Sequence, residues 1–288
     1  MKRNAIIRIV LWSITLVILL GILCTGIYVP SALNRIRRAS VRNTEDFQEI
    51  DGNGFTLDAA SVRNVEIEWA SGSIVIQPMD IGEMYIAEKA QDHSSEPMVW
   101  NLQDGTISIQ YCKNPDRVFV FGMDTELECK DLIIQVPRDW QCNSLEIEAA
   151  SATLEVQDLT IRKMEFDGAS GSCKFRNCTV DSLDLDTASG DVWFQGSLLR
   201  LECDAVSADI TLELTNVPNT LDLDGVSGGL DVTLPAEAGF TVTMETLSGD
   251  FESDFDTTQR NGSYVSGNGR CRIDVDGMSG DVTIRKDA

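Results

Sequence analysis

The chain has 288 residues, 43% of them apolar, with 46 Asp and Glu against 23 Lys and Arg and a formal net charge of −23. That apolar content supports a sizeable core and excludes a disordered chain. Seven basic residues and no acidic one precede residue 43, so residues 43–288 carry 46 acidic and 16 basic groups, a formal −30. Such a surface excludes nucleic acid and anionic lipid as partners and favours cations or a basic surface protein.

Ile9–Asn34 is an uncharged run of 26 residues. About 20 apolar residues suffice for a helix to cross the hydrocarbon core. Residues 1–32 are therefore expected to be a short cytoplasmic stub and a transmembrane anchor, with 33–50 as a tether. A cleaved signal peptide is the alternative. The length of the run and the absence of a small-x-small cleavage site favour the anchor. Ile22 and Leu23 stand before Cys24, where a lipoprotein signal would have small residues. Lys2, Arg3 and Arg8 on one side nearly balance Arg35, Arg37, Arg38 and Arg42 on the other, so charge alone does not orient the span. The C-terminal domain is expected to be extracytoplasmic, as short N-terminal anchors commonly insert that way.

Residues 51–144 are expected to form a β-rich N-terminal cap that includes the first copy of a repeat. Strands are predicted at Met84–Ala87, Val99–Leu102, Thr106–Tyr111 and Leu132–Val136, with Gly, Asn, Asp and Pro between them. Cys112 and Cys129 flank a loop here and could pair. The seven Cys beyond the anchor are odd in number, and none stands in a CxxC or Cys/His zinc spacing.

From residue 145 to the end one unit recurs, and its first copy lies at VEIEWASGSIVI from Val65. Its eight serines are Ser71, Ser151, Ser170, Ser189, Ser207, Ser227, Ser248 and Ser279, spaced near 19–20 in the middle with an insertion at each end. Six and four residues before Ser, every copy is apolar. Three before Ser all eight are acidic, and five before Ser seven are. That is the period-two alternation of a strand with one wet face. The residue just before Ser is apolar in every copy, and Gly or Ala follows Ser. A second alternating strand then begins, and a third apolar site is expected near the next corner, at Ile161, Val180 and Leu199. The expected fold is all-β: a parallel β-solenoid (β-helix) of about eight coils, the first copy lying in the β-rich cap and the other seven over 145–288. An antiparallel meander with Ser-Gly hairpins is the alternative. Thr257–Gly269 is predicted to be a loop.

SGSIVIQP at Ser71, ASGDVWFQG at Ala188, LSGDFESDF at Leu247 and GMSGDVTIRK ending at Lys286 resemble the bacterial "putative adhesin" family of unknown function with repeated Ser-Gly-Asp strand units. The resemblance spans about Phe55 to Arg285. It implies a cell-surface β-solenoid, often behind one transmembrane helix and sometimes encoded beside envelope-stress regulators. It implies no catalytic motif.

Three chemistries fit acidic repeats. Paired carboxylates such as Asp184 and Asp186 could hydrolyse glycosidic bonds, yet they recur in nearly every unit where catalysis needs one unique constellation. Ser71 or Ser189 as a nucleophile lacks a visible partner, since His93 is the sole histidine. A column of Asp167, Asp186, Asp204 and Asp224 could attract Ca²⁺, against a bland reading as a solvated face that prevents sheet aggregation. Recognition is the third. Trp193 is opposite in phase to Val192 and Phe194 and is expected to face out as a contact residue; Trp69, Trp100 and Trp140 are further aromatic candidates. The expected function is non-enzymatic binding or adhesion at the cell envelope. The alternatives are an accessory role in an envelope-stress pathway and an enzyme acting on surface glycans.

Overall fold

The computed structural model describes residues 47–50, 54–90, 96–113 and 129–287. The expected anchor, most of the tether, and His93 lie outside these residues. Among the described residues no helix is long and apolar enough to cross a membrane.

The N-terminal third supplies β1 (Gln48–Glu49), β2 (Phe55–Leu57), β3 (Asn64–Met79), β4 (Met84–Ala90), β5 (Val99–Gln103), β6 (Thr106–Gln110) and β7 (Lys130–Pro137). The middle supplies β8 (Gln141–Gln157), β9 (Thr160–Ser170), β10 (Cys173–Ser189), β11 (Val192–Ser207), β12 (Ile210–Leu214), β13 (Thr220–Ser227) and β14 (Leu230–Leu234). The last part supplies β15 (Phe240–Ser248), β16 (Phe251–Ser253), β17 (Thr258–Arg260), β18 (Ser263–Ser266), β19 (Cys271–Ser279) and β20 (Val282–Lys286). The four strands predicted between residues 84 and 136 all form, three slightly longer than their pattern and the one from Thr106 a residue shorter.

Alternation dictates the architecture. In β10, Leu183 and Leu185 are fully buried while Asp186 is exposed. A lone coil cannot cover its apolar row, so coils must stack. They stack in parallel and in register: Leu183 faces Leu201, Leu201 faces Leu221, and Leu221 faces Ile273. Ser189, Ser207, Ser227 and Ser279 follow one another in the same way. Parallel pairing between repeats excludes the meander, whose neighbouring strands would run antiparallel.

The stack has two long walls. The strands before Ser form the first, in the order β6, β3, β8, β9, β10, β11, β13, β19, β15. The strands after Ser form the second, in the order β7, β3, β8, β10, β11, β12, β14, β20, β16. Nine coils are thus present among the described residues, one more than the eight serines announce. The extra coil is β6 with β7. Thr106–Gln110 pair with Asn64–Glu68, and Gly72 faces Lys130. Cys129-Lys130 stand where other coils have Ser-Gly or Ser-Ala, and residues 113–128 interrupt the unit. One apolar core runs from Ile50 to Ile284 through all nine coils.

Chain order and stacking order part company at both ends. β6 and β7 lie outside β3 although they follow it in sequence. β15 and β16 lie outside β19 and β20 although they precede them. Each end is then closed by antiparallel strands. At the first, β5 pairs with β6 and β4 with β7. At the second, β18 pairs with β15, and β17 with β18. The segment expected to be a loop at Thr257–Gly269 is therefore the β17–β18 hairpin. Its turn is Asn261-Gly262, both at positive φ (50° and 90°), as in the Asp104-Gly105 turn between β5 and β6 (54° and 84°). These pairs satisfy the two left-handed positions of a tight hairpin.

The Ser-Gly corners do something else. Gly190 has φ 132°, and a Cβ there would lie 2.0 Å from the carbonyl oxygen of Gly171 in the coil below. Glycine is needed because the backbones meet at this corner. The third apolar site is Leu198, which faces Val180 and is fully buried, while Leu199 is exposed. The register slips because Arg176 and Asn177, the latter at φ 52°, stand opposite the single residue Gln195.

Candidate functional site: the carboxylate columns

Stacking converts each acidic position of the repeat into a column on the outside of the first wall. Three residues before Ser, the column runs Glu68, Glu148, Asp167, Asp186, Asp204, Asp224, Asp276, Glu245, with Gln110 of the extra coil beside Glu68. Two residues earlier in each strand, Glu66, Glu146, Glu165, Asp184, Glu202, Asp222 and Asp274 make a parallel column. Neighbouring strands lie about 4.8 Å apart, so like charges repeat at that interval along both.

The electrostatic cost is visible. Asp167 is pushed up to about 6, first by partial burial and then by the charges of Asp186 and Glu148. Asp204 is also pushed up to about 6, by partial burial and then by Asp186 and Asp224. Asp184 is raised by burial, Glu202 and Asp186. Both Asp167 and Asp204 remain exposed on their solvent side, so salt screens part of this effect. Some relief comes from cations at the margin: Lys163 pairs with Glu165 at 2.5 Å and Arg272 with Asp274 at 2.9 Å.

The expected cation column is thus real as an alignment: Asp167, Asp186, Asp204 and Asp224 face one another in series. It supplies one carboxylate per coil, and among the described residues no three His, Cys, Asp or Glu side chains converge on a point that could hold a metal ion. Asp184 and Asp186 repeat the pattern of their neighbours in the coils on either side.

Trp193 is half-buried and lies between Lys174 and Thr211 on the second wall. The Lys174 ammonium stands 5.3 Å from its ring centroid. Trp69 belongs to the core: it is fully buried and its indole N–H donates to the Lys130 carbonyl at 3.0 Å. Trp100 stacks on Phe55, with ring centroids 4.1 Å apart, and Trp140 donates to the Val62 carbonyl.

Cys173 and Cys203 are buried, and burial pushes both thiols up to about 12. Such thiols are inert packing groups. Cys112 and Cys129 are both thiols, the first buried and the second exposed, with the Cys129 sulfur 3.6 Å from the Ser71 hydroxyl.

One feature of the surface has no local signal in the sequence. At the corners of the last coils a shallow open depression of about 480 Å³ is lined by Asp209, Gly228, Gly229, Ser248, Gly249, Asp250, Ser279, Gly280 and Asp281. Its residues are scattered over 73 positions of sequence, and only the reordered stacking of β19 and β20 brings them together.

A parallel stack of short coils with aligned outward carboxylates defines the class of this protein as an acidic β-solenoid. Residues 62–204 and 194–285 match the Toastrack DUF4097 family, and the chain belongs to that family. Among solved structures, it is similar to a "putative adhesin" of Bacteroides fragilis at 14% identity and a TM-score of 0.48, over 81% of this chain and 98% of that one. It is similar to a "putative cell adhesion protein" of Clostridium sporogenes at 13% identity and a TM-score of 0.35, over 84% of this chain and 100% of that one. A "putative lipid binding protein" of Parabacteroides distasonis matches at 13% identity and a TM-score of 0.39, over 83% and 98%. Likenesses this distant say nothing of a ligand. No curated protein matches the chain.

Proposed function

We propose that the chain is a membrane-anchored, non-enzymatic binding protein of the cell envelope, whose acidic first wall faces the cell exterior and docks a basic partner. The observation that carries this reading is the in-register carboxylate column, unbroken from Glu68 to Glu245 across eight coils. A long flat face of one charge attracts an oppositely charged partner and speeds its encounter. Raised Asp167 and Asp204 mean that neutralising these groups relieves repulsion, which a basic partner or loosely held cations would do. The anchor reading rests on Ile9–Asn34, the uncharged run described above.

Protease treatment of intact cells bearing a tag after Ala288 tests the location. Loss of the tag without lysis is expected. Protection until lysis would place the acidic wall in the cytoplasm and end the reading as a surface-binding protein.

A further inference from the structure

The position just before each corner serine changes character along the stack. It is Ala in the coils of β8, β9 and β10, at Ala150, Ala169 and Ala188. It then becomes Val206, Val226, Met278 and Leu247 in the last four coils. The serines that follow pair in register, Ser207 with Ser227, Ser227 with Ser279, and Ser279 with Ser248. The four apolar side chains therefore lie in single file on adjacent strands. Val206 is 41% exposed, Met278 40% and Leu247 68%. Val226 between them is half-buried. Isolated exposed apolar residues are ordinary, but three in one file of four on a single edge are not.

Acid flanks this ridge on both sides. On the first wall stand Asp204, Asp224 and Asp276, in register. On the second, Asp209, Asp281 and Asp250 line the depression of about 480 Å³. Two of these carboxylates are held in place from the backbone: Gly229 N–H donates to Asp209 at 2.8 Å, and Asp250 N–H donates to Asp281 at 2.9 Å. An apolar strip between two acidic rows selects its occupant by charge. A second copy docking ridge to ridge would oppose aspartate to aspartate. An anionic bilayer would be repelled. The complement is a strip of apolar side chains bordered by Lys or Arg.

We infer that the Val206–Val226–Met278–Leu247 ridge and the adjoining Ser-Gly-Asp depression dock an extended peptide segment that alternates apolar and basic side chains. This rests on the proposed docking of a basic partner and adds where and by what chemistry that partner is held. The ridge spans three strand spacings, about 14 Å at about 4.8 Å each. An extended peptide rises about 3.4 Å per residue and points alternate side chains to one face, so about five residues cover it. Apolar side chains meet the ridge, and the long basic side chains between them, which leave the opposite face, bend back over the edges of the segment toward the flanking aspartates. The acidic columns supply attraction along the whole wall; the ridge supplies the place.

The test uses the full chain in zwitterionic detergent and three labelled octapeptides of alternating Leu-Lys, Ser-Lys or Leu-Glu, followed by fluorescence anisotropy. Leu-Lys is expected to bind about tenfold or more tightly than either comparator, because apolar anchors carry most of a small interface's energy. The exposed double variant Leu247→Ser, Met278→Ser is expected to lose about tenfold in Leu-Lys affinity with its melting temperature retained. Leu199→Ser, at an exposed apolar residue off the ridge, is expected to change nothing. Equal binding of Ser-Lys, or no loss in the double variant, overturns the ridge while leaving the acidic wall as the docking face. Equal binding of Leu-Glu overturns the charge argument. Self-association of the chain, or binding to phosphatidylcholine vesicles, that disappears with Leu247→Ser assigns the ridge to a second copy or a bilayer and overturns the peptide. Failure of both lysine peptides to bind removes the basic-partner reading together with the ridge.

Discussion

The middle of the molecule and its two ends are built from the same unit but obey different rules. In the middle, from β8 to β14, each coil stacks on the one before it, and Ser-Gly or Ser-Ala corners carry the chain round in one sense. At the ends the chain doubles back. It inserts a later coil outside an earlier one or an earlier one outside a later, and closes with Asp-Gly and Asn-Gly hairpins. A solenoid cut off in mid-stack would expose apolar rows and open strand edges. Antiparallel strands laid over the terminal coils bury those rows. The lesson is that two kinds of turn do two jobs: Ser followed by Gly or Ala propagates the stack, and Asn-Gly or Asp-Gly ends it.

The largest effect is expected at the first end. The Lys130 ammonium is buried, pairs with Glu88 at 3.1 Å, donates to the Tyr111 carbonyl at 2.9 Å and to the Glu96 carbonyl, and lies 4.3 Å from the Tyr111 ring centroid. Lys130→Ala leaves the Glu88 carboxylate buried without its partner and should cost about 3–5 kcal/mol in chemical denaturation. Lys130→Met with Glu88→Gln should cost clearly less. If the double variant is as unstable as Lys130→Ala, the pair does not hold the first end together.

The two glycine jobs can be separated by one substitution. Gly190→Ala puts a Cβ 2.0 Å from the Gly171 oxygen at positive φ and should cost about 3 kcal/mol. Gly262→Ala meets nothing within 4 Å, so only backbone strain remains, about 1 kcal/mol. Equal losses would mean that the corner is not closely packed.

Smaller still is the pH effect. Asp167 and Asp204 sit at about 6 in the fold against 3.8 ordinarily, so the folded state binds protons more readily than the unfolded chain between those values. Their contribution to stability is fully present below about pH 4 and is lost as pH rises through about 6. The melting temperature should therefore rise between pH 7.5 and pH 5. Asp167→Asn with Asp204→Asn should flatten that rise, and so should added salt. A melting temperature that falls over this range in both proteins would contradict the repulsive columns.

The sequence made the middle legible because alternation and a corner Ser followed by Gly or Ala are local signals that recur in every unit there. It hid the ninth coil because Cys129-Lys130 replace Ser-Gly and residues 113–128 split the unit. It hid the stacking order at the ends for a more general reason. Coils that share one pattern are interchangeable partners, so the register of each pair is specified but not which coil pairs with which. Trp69 was readable: two residues before Ser is in phase with the buried positions four and six before it, which puts its ring inside. The Asn261-Gly262 hairpin carried its own signal as well. The columns were visible residue by residue, yet the depression formed by Asp209, Asp250 and Asp281 was not, because it depends on β19 and β20 slipping between β13–β14 and β15–β16.

The central claim is that the aligned carboxylates of the first wall are a docking face for a basic partner. The direct measurement is binding of poly-lysine to the full chain in zwitterionic detergent, compared with the variant Asp167→Asn, Asp186→Asn, Asp204→Asn, Asp224→Asn. Saturable binding that weakens with salt, and falls by about tenfold or more in the variant at unchanged or raised melting temperature, is the predicted result. Equal affinity of the two proteins for poly-lysine would contradict it.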